Sequence, residues 1–397
     1  MNLYLQMGHG MQSMILELVK MWNYGDVIIS PVNIRQDKVE IFSKKIQAQG
    51  GKVLFDPQMF YPKEGHDKLR EYDYWPNEGV SISSEDGMKR INSELFRINN
   101  LIGSDEIILP GTEMNEGTFE YGLKRIEESI NYFRAKTEKA LFATICLYPE
   151  TIRDAQSIEY IVEQLKKLPL DGYYVIAHPS NGEYIVSDPL WTIGVMKLLT
   201  CLKLHNRKVI VGYCNHQSLM YALAKVDGIA SGTYMNTRSF VPAKFKSPKD
   251  DDVKHKSTWY YLPSAFCEYK AISLDVAMRR GYLEKFIPHG EFFNEYSSML
   301  FNGALPSSTN YNETNSFKHY LCCMKTQCDM LSLDSYQETY DAYEFMLNSA
   351  ELQINELKKH GISGQNRDFS PGIEANRVAI CANDEDYGLK LNLEWQS

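Results

Sequence analysis

ALFATICLYPETIRDAQSIEYIVEQLKKLPLDGYYVIA, residues 140–177, carries one full structural repeat. A nearly unbroken apolar run, ALFATIC, stops at a polar Tyr148-Pro149-Glu150. An amphipathic stretch follows, and a second run, YYVIA, begins after Asp171-Gly172. Strands buried on both faces read as continuous apolar runs. Two parallel strands need a connection of about a dozen residues or more, usually a helix.

The same alternation fills the first 240 residues. Apolar runs fall at 3–7, 27–30, 52–55, 106–109, 140–145, 173–177, 208–212 and 228–231. Between them, 11–22 places Met14, Ile15, Leu18, Val19 and Trp22 on one helical face, and 39–49 stops at Gly50-Gly51. The stretch 119–136 carries Leu123, Ile126, Ile130 and Phe133 on one stripe; 151–168, 189–204 and 217–224 complete the crossovers. Eight such units predict an α/β fold, a (β/α)8 TIM barrel. A doubly wound open sheet is the alternative, weakened because no GxGxxG follows the first strand. The connection at 61–86, which contains SSEDG, is expected to be an insertion over the barrel mouth.

Past residue 240 the pattern changes. SPKDDDVKHK (247–256) is a charged loop, 258–306 mixes aromatics with short helices, and 317–332 and 336–360 read as helices, the second capped by Gly361. The tail from Ser363 is expected to pack back on the barrel. The chain therefore divides into a catalytic barrel, 1–240, and a mainly helical extension, 241–397, packed against it.

Composition sets the outer limits. The 397 residues are 44% hydrophobic and 23% charged, enough for a large core. No apolar run reaches the roughly 18 residues that span a bilayer, so no membrane association is expected. MNLYLQMGHG lacks the basic and apolar regions of an export signal. The eight cysteines form no CxxC pair, which points to reduced thiols and a cytoplasmic location. The net charge of -9 argues against a protein that coats nucleic acid.

In a barrel of this kind the chemistry sits at the C-terminal ends of the strands. Those positions hold Gln6 and His9; Asp56 and Gln58; Thr112, Glu113 and Asn115; Thr144 and Cys146; His178, Ser180, Asn181 and Glu183; Tyr213, Cys214, Asn215 and His216; and Ser231, Thr233, Asn236 and Arg238. Asp56 and Glu113, on neighbouring strands, suit acid/base or covalent work if their environments separate their pKa values; either one instead would orient a loop. Arg238 is the candidate for a phosphate or carboxylate, because a guanidinium forks onto two oxygens; its alternative is a rim salt bridge. His9, His178, His216 and Glu113 would make a mononuclear metal site, although no HxH or HExxH spacing supports one. His319, Cys322, Cys323 and Cys328 read as ordinary helix residues. No P-loop, kinase, GxSxG or pyridoxal-type signature occurs.

Five segments in order resemble the tRNA-guanine transglycosylases: LFDPQMFYP (54–62), EIILPGTEMNEGTFEYGLKRIEESINYF (106–133), LFATICLYPETIR (141–153), PLDGYYVIAHPSNGE (169–183) and VIVGYCNHQSLMYALAKVDGIASGTYMNTR (209–238). The departures are specific. The family's Asp-Ser-Gly-Gly becomes Asp56-Pro57-Gln58, and its fourth-strand aspartate falls near Thr112-Glu113. Its fifth-strand glutamine falls near Thr144, and its glycine pair near Ala177-His178. Its nucleophilic aspartate on strand eight falls on Ala230-Ser231-Gly232, and 308–317 lacks its zinc-binding cysteines. The resemblance is nearest in kind to the paralogues that place 7-deazaguanine bases in DNA.

That resemblance implies a base-exchanging glycosyltransferase that needs no cofactor. Asp56 and Glu113 would share the nucleophile and acid/base roles. Gln58, His178, Asn181 and Asn215 would read the purine edge, with Ser231 at the rim; Tyr213 or Phe60 would stack on the base. The target base must leave its stack to arrive there. Arg238 and Lys244, Lys246, Lys249, Lys254 and Lys256 would meet phosphates, although Asp250, Asp251 and Asp252 sit among these lysines. The implied partners are nucleic acid, DNA ahead of tRNA, a guanine or 7-deazaguanine base and, given the acidic charge, a helper protein. A metal-dependent hydrolase of a nucleoside or phosphorylated substrate, and a non-catalytic base-binding barrel, are the alternatives.

Overall fold

Residues 1–63, 65–76, 82–246 and 257–395 are described by the structure, a computed structural model. Every one of the eight apolar runs forms a strand: β1 (Asn2–Gln6), β2 (Gly25–Ile29), β3 (Gly51–Phe55), β4 (Glu106–Ile108), β5 (Ala140–Leu147), β6 (Gly172–Ala177), β7 (Lys208–Val211) and β8 (Gly228–Ser231). All pair in parallel in the order β3-β2-β1-β8-β7-β6-β5-β4, and a two-residue strand, Glu113–Met114, adds to β5. The two ends of that order, β3 and β4, touch without a backbone ladder among the described residues.

Period-two alternation divides each strand between two cores. Tyr4, Ile28, Leu54, Ile108, Phe142, Tyr174, Ile210 and Ala230, one from each strand, meet in a single interior cluster. Their neighbours, such as Leu3, Leu5, Val27, Ile29, Val53 and Phe55, join the larger core under the helices. An interior shared by all eight strands is that of a barrel, not of an open sheet. Two glycines make room for its rings: a Cβ on Gly172 would meet Phe142 at 2.4 Å, and one on Gly212 would meet the Tyr174 hydroxyl at 2.5 Å.

Two crossovers differ from expectation. The helix expected at 151–168 is broken into Pro149–Arg153 and Ala155–Leu165, because Asp154 leaves helical geometry and its carboxylate accepts from the Gln156 and Ser157 amides. That is an N-cap placed inside an otherwise helical stretch. The segment after β7 forms only 3-10 turns, His216–Ala224.

The extension makes good that deficit. It opens with an antiparallel hairpin, β9 (Trp259–Leu262) and β10 (Cys267–Lys270), where short helices were expected. Helix Glu313–Met330 packs on β1 and on β9, and helix Ser370–Trp395 packs along Pro189–Lys203 and over the 3-10 segment. Thr200 donates to Asn383 at 2.7 Å, and Gln217 donates to Asn376 at 3.0 Å, across that contact. The tail from Ser363 thus returns to the barrel as expected. No described helix is long and apolar enough to cross a membrane.

Candidate active site at the barrel mouth

Asp56 extends the inward-facing set of β3 by one position beyond Leu54 and is fully buried. Its carboxylate accepts from the Tyr213 hydroxyl at 2.8 Å, the Gln58 amide at 3.0 Å and the Tyr174 hydroxyl at 3.2 Å. Gln58 donates in turn to the Tyr213 hydroxyl at 3.0 Å and to Ser30 at 2.6 Å, and its carbonyl accepts from the Val32 amide at 3.2 Å. Burial pushes Asp56 up to about 6, against the pull of its three hydrogen bonds. Gln58 and Tyr213 both sit in the left-handed region, at φ 52° and 57°. A side chain there costs about 1–2 kcal/mol. The surrounding structure holds both residues in place, and both side chains converge on Asp56.

Rings close the mouth above this network. Phe60, from the loop after β3, meets Phe245 at 4.9 Å and Phe240 at 5.2 Å between centroids; Phe240 and Phe245 stack at 5.3 Å. Tyr213 packs edge-on against Phe240 and Phe245 at 5.6 and 5.7 Å. The two contributing loops interlock: the His66 amide donates to the Phe245 carbonyl at 3.2 Å, and Gly65 pairs with Lys246. The rings of the cover thus come from Phe60 and the 240–246 loop. Of the expected insertion at 61–86, Gly65 and His66 tie that loop down, Tyr72, Tyr74 and Trp75 pack in the outer core, and 64 and 77–81 lie outside the described residues. Within SSEDG, Ser84 caps a helix, Glu85–Leu101, so the end of this connection is helical.

Glu113 stands beside this cover. It accepts a hydrogen bond from the Tyr61 hydroxyl and lies 2.6 Å from His178 Nδ1. The Glu113 side chain is 1% exposed and that of His178 20%, so the imidazole is the part that faces outward. With Nδ1 held by a carboxylate, Nε2 is the ring nitrogen left for another partner. Trp191 fixes the backbone, donating from Nε1 to the His178 carbonyl at 2.8 Å. Cys146 is the ladder partner of Glu113, and burial, then Glu113 and Asp56, hold its thiol well above the usual range. It is a neutral group within electrostatic reach of both carboxylates.

The remaining expected residues are scattered. Asn181 is exposed in a left-handed turn after β6. Asn215 caps the 3-10 segment through the Gln217 amide and donates to the Tyr184 carbonyl at 2.7 Å. Ser231 follows the inward Ala230 and so points out of the barrel, which removes it from the mouth. Arg238 is 2% exposed; it donates to the Gly232 carbonyl at 2.9 Å and to Glu268 at 3.0 Å, and stacks 3.4 Å over Tyr320. Its salt-bridge alternative is the one realised. Lys246 lies 4.5 Å over the Tyr61 ring; Lys249, Lys254 and Lys256 fall outside the described residues.

The metal grouping does not assemble. His216 is enclosed by Tyr261, Phe369 and Tyr184 at 5.0, 5.5 and 6.0 Å, away from Glu113, and burial pushes it down to about 3. His9 is exposed. No group of three His, Cys, Asp or Glu side chains is arranged for a metal among the described residues. His319 stacks on Tyr260 at 4.9 Å and its Nε2 lies 2.8 Å from the Tyr261 carbonyl, as a packed helix residue would. Sequence reasoning passed over Tyr61, Tyr174, Phe240, Phe245 and the Glu268–Arg367 pair. Parity with the inward Ile176 on β6 was the one signal available, and it points to Tyr174.

No family model matches the chain, and no curated protein matches it. Solved structures overlap it in part. The citrate synthase SbnG, as a variant, aligns at 10% identity and TM-score 0.34 over 58% of this chain and 85% of that one. A HpcH/Hpal aldolase/citrate lyase family protein from Burkholderia cenocepacia aligns at 10% identity and TM-score 0.35 over 58% and 86%. The endo-beta-1,4-mannanase from Thermotoga petrophila aligns at 9% identity and TM-score 0.40 over 63% and 73%.

Proposed function

We propose that the chain is an enzyme that breaks and re-forms a glycosidic bond, exchanging guanine for a 7-deazaguanine base in nucleic acid, DNA ahead of tRNA. The observation that carries this reading is the pair of buried carboxylates at the mouth with different surroundings. Asp56, pushed up to about 6 by burial, is raised towards neutral pH, where it can take up a proton and deliver it to a departing base. Glu113, held by Tyr61 and His178, supplies the carboxylate that would attack C1′. Ala230 at the inward position of β8 offers no carboxylate, so on this reading Glu113 takes the nucleophile's role. A flat base would enter by displacing rings of the Phe60–Phe240–Phe245 cover and stacking in their place. The ordered resemblance of five segments to guanine transglycosylases supports the choice of substrate.

The test is exchange of labelled guanine into polymer by purified variants. Asp56→Asn and Glu113→Gln should each lose about 100-fold or more, the scale of a lost acid or nucleophile. If both variants exchange at the wild-type rate, the assignment of these residues is wrong.

A further inference from the structure

A cavity of about 330 Å³ opens at the opposite, N-terminal end of the barrel, along the seam where β3 and β4 lack a ladder among the described residues. Small-ligand pockets start at roughly 300 Å³. Residues 51–54 of β3 form one side, and Asp105 and Glu106 form the other. Asp26, Lys52, Glu106 and Lys208 each stand two positions before an interior residue of their own strand, Ile28, Leu54, Ile108 and Ile210. With period two, all four side chains face the barrel interior, and all four line the cavity.

Some of these charges are already matched. Lys208 pairs with Glu106 at 2.8 Å. Asp105 is exposed and faces the Lys139 ammonium electrostatically. Asp227, behind Lys208, pairs with Lys203 at 2.7 Å. Asp26 and Lys52 are different. Asp26 is buried, and the Tyr24 hydroxyl donates to its Oδ2, while Oδ1 accepts no hydrogen bond among the described residues. Burial raises its carboxyl above the usual value, against the pull of Tyr24, Lys52 and Lys208. Lys52 is exposed and acts on Asp26 through its charge, with no hydrogen bond or ion pair of its own among the described residues. The Tyr4 hydroxyl, in the cavity wall, also has no hydrogen-bond partner among them.

These three groups form a row. Asp26 is the ladder partner of Tyr4 on one side and of Lys52 on the other. Neighbouring strands lie about 4.8 Å apart, so a hydroxyl, a carboxylate and an ammonium stand side by side across one cavity. A simple cation would match Asp26 and meet a like charge on Lys52; a simple anion would do the reverse. A molecule with an ammonium and a carboxylate on one carbon matches both at once, through charge-assisted hydrogen bonds.

From this geometry we infer that the cavity binds a small free α-amino acid, with its ammonium on Asp26 and the Tyr4 hydroxyl and its carboxylate on Lys52. The inference goes beyond base exchange at the barrel mouth and does not depend on it.

The full chain should be titrated by calorimetry with glycine, L-alanine, L-serine, L-threonine and L-glutamine. Ethylamine and propionate, which carry one of the two charges each, are titrated alongside. At least one amino acid should bind, at least tenfold more tightly than either single-charge compound. Lys52→Met alters an exposed side chain without bonds, so the fold should be retained, and affinity for that amino acid should fall at least tenfold. Asp26→Asn keeps an acceptor for Tyr24 and should weaken the same amino acid by a similar factor. Cooperative thermal unfolding verifies that both variants are folded. The inference is overturned if none of the five amino acids binds at millimolar concentration, if ethylamine or propionate binds as tightly, or if affinity is unchanged in a folded variant of either kind.

Discussion

Asp56 is held in a place that suits a proton better than a charge. Its carboxyl is raised from 3.8 to about 6 by burial, so the folded state binds that proton more tightly than the unfolded chain does. The cost of ionising it is absent below the unfolded value, grows as pH rises through 4 to 6, and is complete above 6; it amounts to about 3 kcal/mol. Asp56→Asn removes the titrating group. Its stability relative to wild type should therefore improve between pH 4 and pH 7.5, in the same protein that loses activity. Melting temperatures across that range check this, and a difference independent of pH would refute the stated cause. Glu268 has the opposite sign. Burial alone would raise it, but Arg367 and then Arg238 hold it down, to about 2. Its contribution is present above the usual carboxylate value and disappears as pH falls towards 2. Glu268→Gln leaves two buried guanidinium groups without their counter-charge and should cost about 3–5 kcal/mol at neutral pH, measured by denaturant unfolding.

At the level of the element, the loop carrying Phe60 and the loop carrying Phe240 and Phe245 are the cover of the mouth. Phe240→Ala should open it. Alkylation of Cys146, which lies on β5 with 0% exposure, should then speed up at least tenfold by peptide mass mapping; an unchanged rate would mean that access runs elsewhere. The strands and their order were legible because parallel barrel strands are buried on both faces and leave unbroken apolar runs. Asp56, Gln58 and Glu113 were legible because strand ends mark the mouth. Ser231 was misplaced by a single residue: with period two, Ala230 faces in and Ser231 faces out. Tyr174 was hidden because a tyrosine inside an apolar run looks like filler. The hairpin around Pro263-Ser264-Ala265 turns through Phe266 at φ 51°, a conformation that no turn signature in that stretch announces. Glu268 and Arg367 lie 99 positions apart, beyond any local pattern.

For the whole molecule, the extension supplies the outer layer that the short crossover after β7 leaves out. Helix Pro189–Lys203 buries Trp191, Val195, Met196, Leu198, Leu199 and Leu202 between the barrel and the returning helix Ser370–Trp395. A chain ended after Ile362 would expose part of that surface and should lose cooperative thermal unfolding; a sharp transition near the wild-type temperature would show that the barrel stands without its tail. The central claim is base exchange at the mouth, and one measurement tests it most directly. Purified protein is incubated with labelled guanine and, separately, with duplex DNA, single-stranded DNA and bulk tRNA. The account predicts label retained in DNA and little in tRNA. Label in none of the three polymers would contradict it.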